Sequence, residues 1–235
     1  MLASDLSLRI TEIFSSLQGE SSYAGQPTTF VRLTGCPLRC VYCDSAYAFA
    51  GGETKTLAEI LSRIESESNR YVCVTGGEPL SQPACTDLLR ELCDRGYRVS
   101  LETSGALDIA SIDSRVKKIV DVKTPSSRES SKNLSSNYDK LLASDEIKFV
   151  ISDREDFDWS VEYIDQFGLF SRVENVFFSP LFELPVATSG TAERSSIAVK
   201  SPILKELPEW ILATGLPIRF QLQLHKIIWG DEPGR

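Results

Sequence analysis

The chain has 235 residues, of which 42% are hydrophobic and 25% charged, enough for one sizeable core and one domain over residues 1–235. Its 25 basic and 33 acidic residues give a net charge of −8, which argues against a general nucleic-acid binder. No apolar run has membrane-spanning length, and the first residues lack the basic start of a signal peptide. We therefore expect no membrane segment and a cytoplasmic location.

Residues 8–14 alternate apolar and polar side chains, which predicts an opening strand. The strand runs into Leu17-Gln18-Gly19-Glu20, a polar stretch that on its own is more typical of a surface loop. Residues 28–34 are β-branched and apolar and predict the next strand. Arg32 interrupts that strand. It is either a solvated edge charge or a clamp for an anion, because a guanidinium can bind a carboxylate with two hydrogen bonds.

Three cysteines follow in a C-x3-C-x2-C spacing, namely Cys36, Cys40 and Cys43. Common zinc sites assemble four ligands from paired cysteines or histidines, and no second pair lies nearby in the sequence. Four-iron clusters are normally held by four thiolates, so three would leave one iron open to a small molecule. The loop 35–45 is therefore predicted to hold a [4Fe–4S] cluster, with unconnected loop cysteines as the alternative. The other three cysteines are expected to be small buried residues.

In the rest of the chain, predicted strands alternate with predicted helices. Strands are predicted at 71–75, 97–103, 117–123, 146–152, 173–179 and 218–224, and helices at 56–68, 83–95, 155–167 and 204–214. This order indicates a parallel α/β sheet, whose active-site residues belong at the carboxyl ends of the strands. The polar residues at or beside these predicted ends are Thr75, Glu102, Asp121, Lys123, Ser179 and His225.

The three cysteines, followed by the Gly-Gly-Glu-Pro sequence at 76–79, resemble the radical S-adenosylmethionine (SAM) superfamily. A Gly-Gly pair alone is also typical of a simple turn, but here it follows the cysteine loop by one helix and one strand. The sequence 17–20 and the segment 221–229, which contains the single histidine His225, narrow the resemblance to the 7-carboxy-7-deazaguanine synthase family. The resemblance extends from about residue 10 to residue 229.

The resemblance implies an α/β fold, an incomplete (β/α)6-type partial TIM barrel, that binds a [4Fe–4S] cluster, SAM and Mg²⁺. The implied reaction converts 6-carboxy-5,6,7,8-tetrahydropterin to 7-carboxy-7-deazaguanine with loss of ammonia, in queuosine or 7-deazapurine biosynthesis. An electron from the cluster would cleave SAM to start it, with no further catalytic side chain. A flavodoxin- or ferredoxin-type electron donor and a homodimer are also implied.

The resemblance assigns three groups of residues. The cluster ligands are Cys36, Cys40 and Cys43, and Ser45, where the family usually has Thr, would bind Mg²⁺. The pterin would be bound by Leu17, Gln18, Gly19, Glu20, Arg32, Thr75, Glu102 and His225, with Arg235 reaching it through the terminal carboxylate of a covering tail at 225–235. SAM would be bound by Tyr42, Cys43, Asp44, Gly77, Glu78, Asp121, Val122, Lys123 and Ser179.

Three alternatives remain. The first is another small radical SAM enzyme, such as a glycyl-radical activase, which shares the cysteine spacing but requires a protein partner. The second is a non-catalytic zinc- or iron-binding module, and the third is a redox carrier that does not bind SAM. We assign no function to the turn-rich stretch 184–196.

Overall fold

The computed structural model describes residues 6–181, 203–230, 232 and 234; the stretch 184–196 and Arg235 lie outside these residues. The described strands are β1 (Ser7–Leu17), β2 (Pro27–Leu33), β3 (Glu53–Thr56), β4 (Tyr71–Gly76), β5 (Arg98–Thr103), β6 (Lys117–Val122), β7 (Glu146–Ile151), β8 (Asn175–Pro180) and β9 (Ile218–Phe220). The described α-helices are α1 (Leu57–Glu65), α2 (Cys85–Asp94), α3 (Arg154–Phe167), α4 (Ile203–Thr214) and α5 (Leu224–Trp229).

The nine strands form one sheet in the order β3-β1-β2-β4-β5-β6-β7-β8-β9. From β2 through β9 neighbouring strands run parallel, while β1 pairs antiparallel with both β2 and β3. Because β3 and β9 are the two ends of this order, the sheet that the described strands form is open. This confirms the predicted incomplete barrel. Within the described residues, every helix is too short or too polar to cross a bilayer.

Strand alternation gives the sheet two different faces. In β7, Ile147 and Phe149 are fully buried in the core under α3 and α4, whereas Lys148 faces the opposite, concave side. A second core, under α1 and α2, covers the first strands of the parallel sheet. Each fully buried Leu, Ile or Phe contributes about 1.5–3 kcal/mol. The helices therefore stabilise one face and leave the other free for polar groups.

Two elements differ from the sequence-based prediction. β3 was missed because its residues, Glu-Thr-Lys-Thr, show no apolar alternation; it forms by pairing with Ser7 to Ile10 of β1. The last strand was predicted to continue to residue 224, but β9 ends at Phe220 and α5 begins at Leu224. His225 is therefore in the first turn of a short helix and not at a strand end.

The loop after β5 is held by one buried side chain, Asn137. Its Nδ2 donates to the carbonyls of Gly105 (3.0 Å) and Leu107 (2.8 Å), and its Oδ1 accepts from the Ile109 N–H (3.2 Å). We expect Asn137→Ala to lower the free energy of unfolding by about 3 kcal/mol, because it removes three hydrogen bonds, although the Gly105 oxygen keeps the Leu134 N–H as a donor. Urea unfolding would measure this; a loss below about 0.5 kcal/mol would contradict it.

Candidate functional site

A pocket of about 630 Å³ opens at the concave face, where the carboxyl ends of the parallel strands meet the cysteine loop. Predicted site residues account for much of its lining. They are Leu17, Gln18, Glu20, Arg32, Cys36, Cys40, Tyr42, Cys43, Asp44, Ser45, Thr75, Gly77, Glu102, Asp121, Lys123 and His225. The pocket thus brings together the cysteine loop, the 17–20 stretch and the segment after β9.

The cysteine loop packs directly on the end of β4. A Cβ at Gly77 would lie 2.2 Å from the Gly35 oxygen and 2.9 Å from the Cys36 Cβ, so only glycine fits there. The Glu78 N–H donates to the same Gly35 oxygen at 2.7 Å, and Gly35 itself has φ +102°. The absence of a side chain at Gly77 therefore leaves space for the backbone of the cysteine loop. Gly77 is one of the residues that the resemblance assigns to SAM.

The three loop cysteines are half-buried free thiols along one wall of the pocket. Burial raises the pKa of Cys36, and it raises the pKa of Cys40 to about 11. Among the described residues, no compact group of three or more His, Cys, Asp or Glu side chains surrounds a point where a single metal ion would sit. Ser45, the residue predicted for Mg²⁺, hydrogen-bonds to Asp44 at 3.3 Å.

Two residues predicted to bind SAM are turned away from the pocket. The Glu78 carboxylate is fully buried and accepts from Thr103 Oγ1 (2.9 Å), Ser104 N–H (2.7 Å), Ser104 Oγ (2.6 Å) and Leu80 N–H (3.0 Å). It holds the ends of β4 and β5 together. Val122 is buried in the helix-covered core, because it alternates with Asp121 along β6.

Ser179 lies near the end of β8 opposite Val150, a residue that lines the pocket. The Ser179 side chain is buried, and its Oγ finds no hydrogen-bond partner among the described residues. A buried hydroxyl without a partner loses its bonds to water without replacement. A ligand that bonds this hydroxyl would remove that cost. Nearby, Tyr42 bonds Thr124 Oγ1 through its hydroxyl at 3.0 Å.

Eight charged side chains in the pocket form four ion pairs, and Glu102 is a carboxylate outside these pairs. The pairs are Glu12 with Arg32, Glu20 with Lys148, Asp44 with Lys226, and Asp121 with Lys123. Glu102 has no ion-pair partner in the described part of the chain; it accepts from Thr75 Oγ1 at 3.0 Å and Gln18 Nε2 at 3.4 Å. Glu102 is therefore suited to accept hydrogen bonds from a neutral or cationic ligand.

Arg32 presents part of its guanidinium to the pocket. Its Nε donates to Glu12 Oε1 at 2.7 Å, and Glu12 also accepts from the Tyr47 hydroxyl at 2.8 Å. The guanidinium carbon lies 5.9 Å from the Phe14 ring centre and 5.7 Å from that of Tyr47. No described residue bonds the two terminal nitrogens. These contacts fix the guanidinium plane and leave two nitrogens for an anion.

The segment after β9 holds the loop after β1 through alternate residues. Gln221 accepts from the Ser21 N–H (2.7 Å) and donates to the Ser21 oxygen (2.9 Å), as a strand backbone would. Gln223 Nε2 donates to Glu20 Oε1 at 2.5 Å. A Cβ on Gly19 would lie 2.2 Å from His225 Nδ1. Ser21 adopts the left-handed conformation at φ 64°.

Sequence reasoning missed several residues of this pocket. Lys148 and Lys226 supply two of its cations, while Glu12 and Tyr47 hold Arg32. One signal was present: Lys148 interrupts the apolar run of a strand buried on its other face, as Arg32 does in β2. The partner of Lys226 is Asp44, which is remote in sequence, so no local pattern indicates that pair.

Comparisons with known proteins show what this chain is similar to. The family model of the radical SAM superfamily matches residues 30–127. The chain is 44% identical to the 7-carboxy-7-deazaguanine synthase of Koribacter versatilis, over 96% of this chain and 98% of that protein. It is 39% identical to the synthase of Chlorobaculum tepidum, over 98% of each chain.

Among solved structures, QueE from Escherichia coli superposes with a TM-score of 0.70 over 95% of this chain and 96% of that one. At 21% identity this match supports the fold alone. The identities of 44% and 39% extend over nearly the full length of both chains, so they establish family membership. The chain therefore belongs to the 7-carboxy-7-deazaguanine synthase family of the radical SAM superfamily.

Proposed function

We propose that this protein is a radical SAM enzyme that converts 6-carboxy-5,6,7,8-tetrahydropterin to 7-carboxy-7-deazaguanine with loss of ammonia, in queuosine or 7-deazapurine biosynthesis. The observation that carries the proposal is that one pocket contains both the cysteines and the residues assigned to the pterin. Cysteines line one part of it, while Arg32, Glu102 and His225 line another. Substrate and product differ only by ammonia, so the conversion needs no net oxidant or reductant.

Cys36, Cys40 and Cys43 would hold the [4Fe–4S] cluster. The chemistry of the donors fits this group, because three thiols on one wall leave an iron open to SAM. When bound, the cluster and SAM supply the radical chemistry, while the protein provides orientation and exclusion of water. The close packing of Gly77 on Gly35 fixes where the cysteine loop sits relative to β4.

The SAM side of the pocket would be formed by Tyr42, Asp44, Asp121 and Lys123, which line it, and by Ser179, which lies opposite the lining residue Val150. The partnerless hydroxyl of Ser179 supports this assignment, as do the two carboxylates, which could accept from the SAM ammonium or ribose. Gly77 would contact SAM through its backbone, whereas Glu78 and Val122 would act only by shaping the strand ends. Ser45 beside Asp44 would supply the oxygen for Mg²⁺, which takes few protein ligands.

The pterin would lie across the Gln18, Glu20 and Glu102 side of the pocket. Glu102 and the Gln18 amide present acceptors and a donor to the edge of a flat heterocycle, and Thr75 orients Glu102. The terminal nitrogens of Arg32 would bind the carboxylate. His225, against Gly19, would add one ring nitrogen; burial lowers its pKa, so it is neutral near pH 7.

Several features of the assembly belong to the same proposal. Residues 1–235 would form one domain, as the single continuous sheet suggests. Residues 225–235 would cover the substrate; Glu232 and Gly234 line the pocket, which supports this role. We propose a cytoplasmic homodimer that receives electrons from a flavodoxin- or ferredoxin-type donor. The net charge of −8 argues against nucleic acid as a partner.

An anaerobic turnover assay tests the reaction. Reconstituted protein would be mixed with SAM, Mg²⁺, dithionite and 6-carboxytetrahydropterin, and the product followed by mass spectrometry. We expect 7-carboxy-7-deazaguanine and one equivalent of ammonia. SAM cleavage without that product would support radical SAM chemistry but would contradict the proposed substrate. A fully loaded protein that neither cleaves SAM nor forms product would reject the proposal.

Gly19→Ala should weaken pterin binding. The new Cβ collides with His225 Nδ1 and comes within 3.0 Å of the His225 backbone nitrogen, so the start of α5 must move. We expect KM for the pterin to rise about 10-fold, which is about 1.4 kcal/mol and lies within the range of about 1–3 kcal/mol that overpacking costs, with iron content unchanged. Gly77→Ala is the matched control, because its Cβ strikes the cysteine loop and should lower iron content instead. An unchanged pterin KM in Gly19→Ala would contradict the assignment.

A further inference from the structure

Lys148 is a buried cation in the pocket for which neither the sequence nor the proposed reaction provides a role. It lies in β7 between the fully buried Ile147 and Phe149, and its side chain is only 12% exposed. Its Nζ forms an ion pair with Oε2 of Glu20, whose side chain is 10% exposed. Removing a lysine from water is costly, so this position strongly depends on its anionic partner.

The charges around the pair keep both members ionised. Burial alone would lower the pKa of Lys148, but Glu20 and the nearby Asp121 and Glu102 raise it above its ordinary value. Burial alone would raise the pKa of Glu20, but Lys148 lowers it through its charge and its hydrogen bond. The charged or titratable groups that face the pair are His225 of α5, Asp44 of the cysteine loop, Glu102 of β5 and Asp121 of β6.

The two oxygens of Glu20 have different partners. Gln223 Nε2 donates to Oε1 at 2.5 Å, and Lys148 donates to Oε2. A carboxylate oxygen accepts two hydrogen bonds, so each oxygen keeps a lone pair for a ligand N–H. With both oxygens held, the carboxylate plane is fixed relative to the pocket. Removing Lys148 would release one oxygen and leave the charge buried without its partner.

We propose that Lys148 is a positioning residue for the pterin, which acts on the substrate through the Glu20 carboxylate and not by direct contact. This inference rests on the proposed function, since it takes the pterin as the ligand of Glu20. It assigns to the pair a role in substrate affinity, whereas the pair of Asp44 and Lys226 lies beside the cysteine loop.

A double-mutant cycle tests this inference, with Lys148→Met, Glu20→Gln and their combination compared in the turnover assay. Lys148→Met should raise KM for the pterin about 10- to 100-fold, as expected for loss of a charge-assisted hydrogen bond. In the Glu20→Gln background the same replacement should change KM by no more than about 2-fold, because the two effects share one interaction. Lys226→Met is the matched control. Its fold-change in the pterin KM should be the same in the wild-type and Glu20→Gln backgrounds.

The pH dependence gives a second measurement that a purely structural role would not change. Without Lys148, burial raises the pKa of Glu20, so the carboxylate is protonated as the pH falls through that pKa. The pterin KM of Lys148→Met should therefore rise towards acidic pH. This rise should be larger than that of the wild type and of Lys148→Arg, which retain the cation and the same His225. If the Met variant does not fold by circular dichroism, Lys148→Gln replaces it in the same tests.

Two outcomes would overturn the inference. If wild-type protein forms product and Lys148→Met raises KM equally in both backgrounds, Lys148 acts independently of Glu20, and this inference alone is wrong. If wild-type protein with a complete cluster forms no 7-carboxy-7-deazaguanine, the proposed function is wrong and the inference is rejected with it.

Discussion

Cys40→Ala is expected to reduce product formation to background and to leave the fold intact. Cys40 lies in a loop on the pocket wall, outside the sheet and the apolar core, so its loss removes a ligand and little packing. The proposed cluster would be left with two protein thiolates. Iron analysis and anaerobic absorbance, measured beside turnover, should show loss of the cluster, while circular dichroism should be unchanged.

The matched control for this variant is Cys93→Ala. Cys93 is also a thiol, but it lies on α2 in the helix-covered core, outside the pocket. Its removal should cost about 1 kcal/mol of stability or slightly more and retain iron and turnover. If Cys40→Ala retained full iron and activity, the cysteine loop would not hold the cluster, and the proposed chemistry would lose its basis.

The sheet could be predicted from sequence because buried parallel strands and amphipathic helices leave strong local patterns. β4 and β7 are predicted to within a residue, since each is an apolar or β-branched run bounded by polar residues. β3 has no such pattern, because its stability comes from pairing with a strand more than forty residues away in the chain. The last strand was predicted to continue to residue 224 because Gln-Leu-Gln-Leu at 221–224 alternates like a strand, whereas β9 ends at Phe220.

Residue types in the pocket could be predicted better than their orientation. Strand alternation alone would have separated Asp121 and Lys123 from Val122, because period two puts the valine on the other face. Glu78 could not be assigned in this way. Its carboxylate accepts hydrogen bonds from Thr103 and Ser104, which lie at the end of a different strand. No local sequence pattern indicates that pairing. The same holds for Lys148 and Glu20, which are 128 residues apart.

Arg32→Leu is expected to lower kcat/KM for the carboxylated pterin by about 10³-fold, mostly through KM, because truncating one member of a buried charge pair costs 2–5 kcal/mol. Two guanidinium nitrogens are free in the described structure, and Glu12, Phe14 and Tyr47 hold the plane that presents them. Arg32→Lys should restore only a small part of the loss, since an ammonium cannot replace a planar fork. The measurement is steady-state turnover at saturating SAM.

A pterin that lacks the carboxylate provides the control for Arg32. If the guanidinium binds that carboxylate, SAM cleavage stimulated by the decarboxylated analogue should be equally weak in wild type and Arg32→Leu. Arg32→Leu also leaves Glu12 without its cation, which would affect both ligands alike. A large difference between the two proteins with the analogue would therefore assign Arg32 to holding Glu12 and Tyr47, and the carboxylate would need another partner. A difference confined to the carboxylated substrate would identify the group that Arg32 recognises.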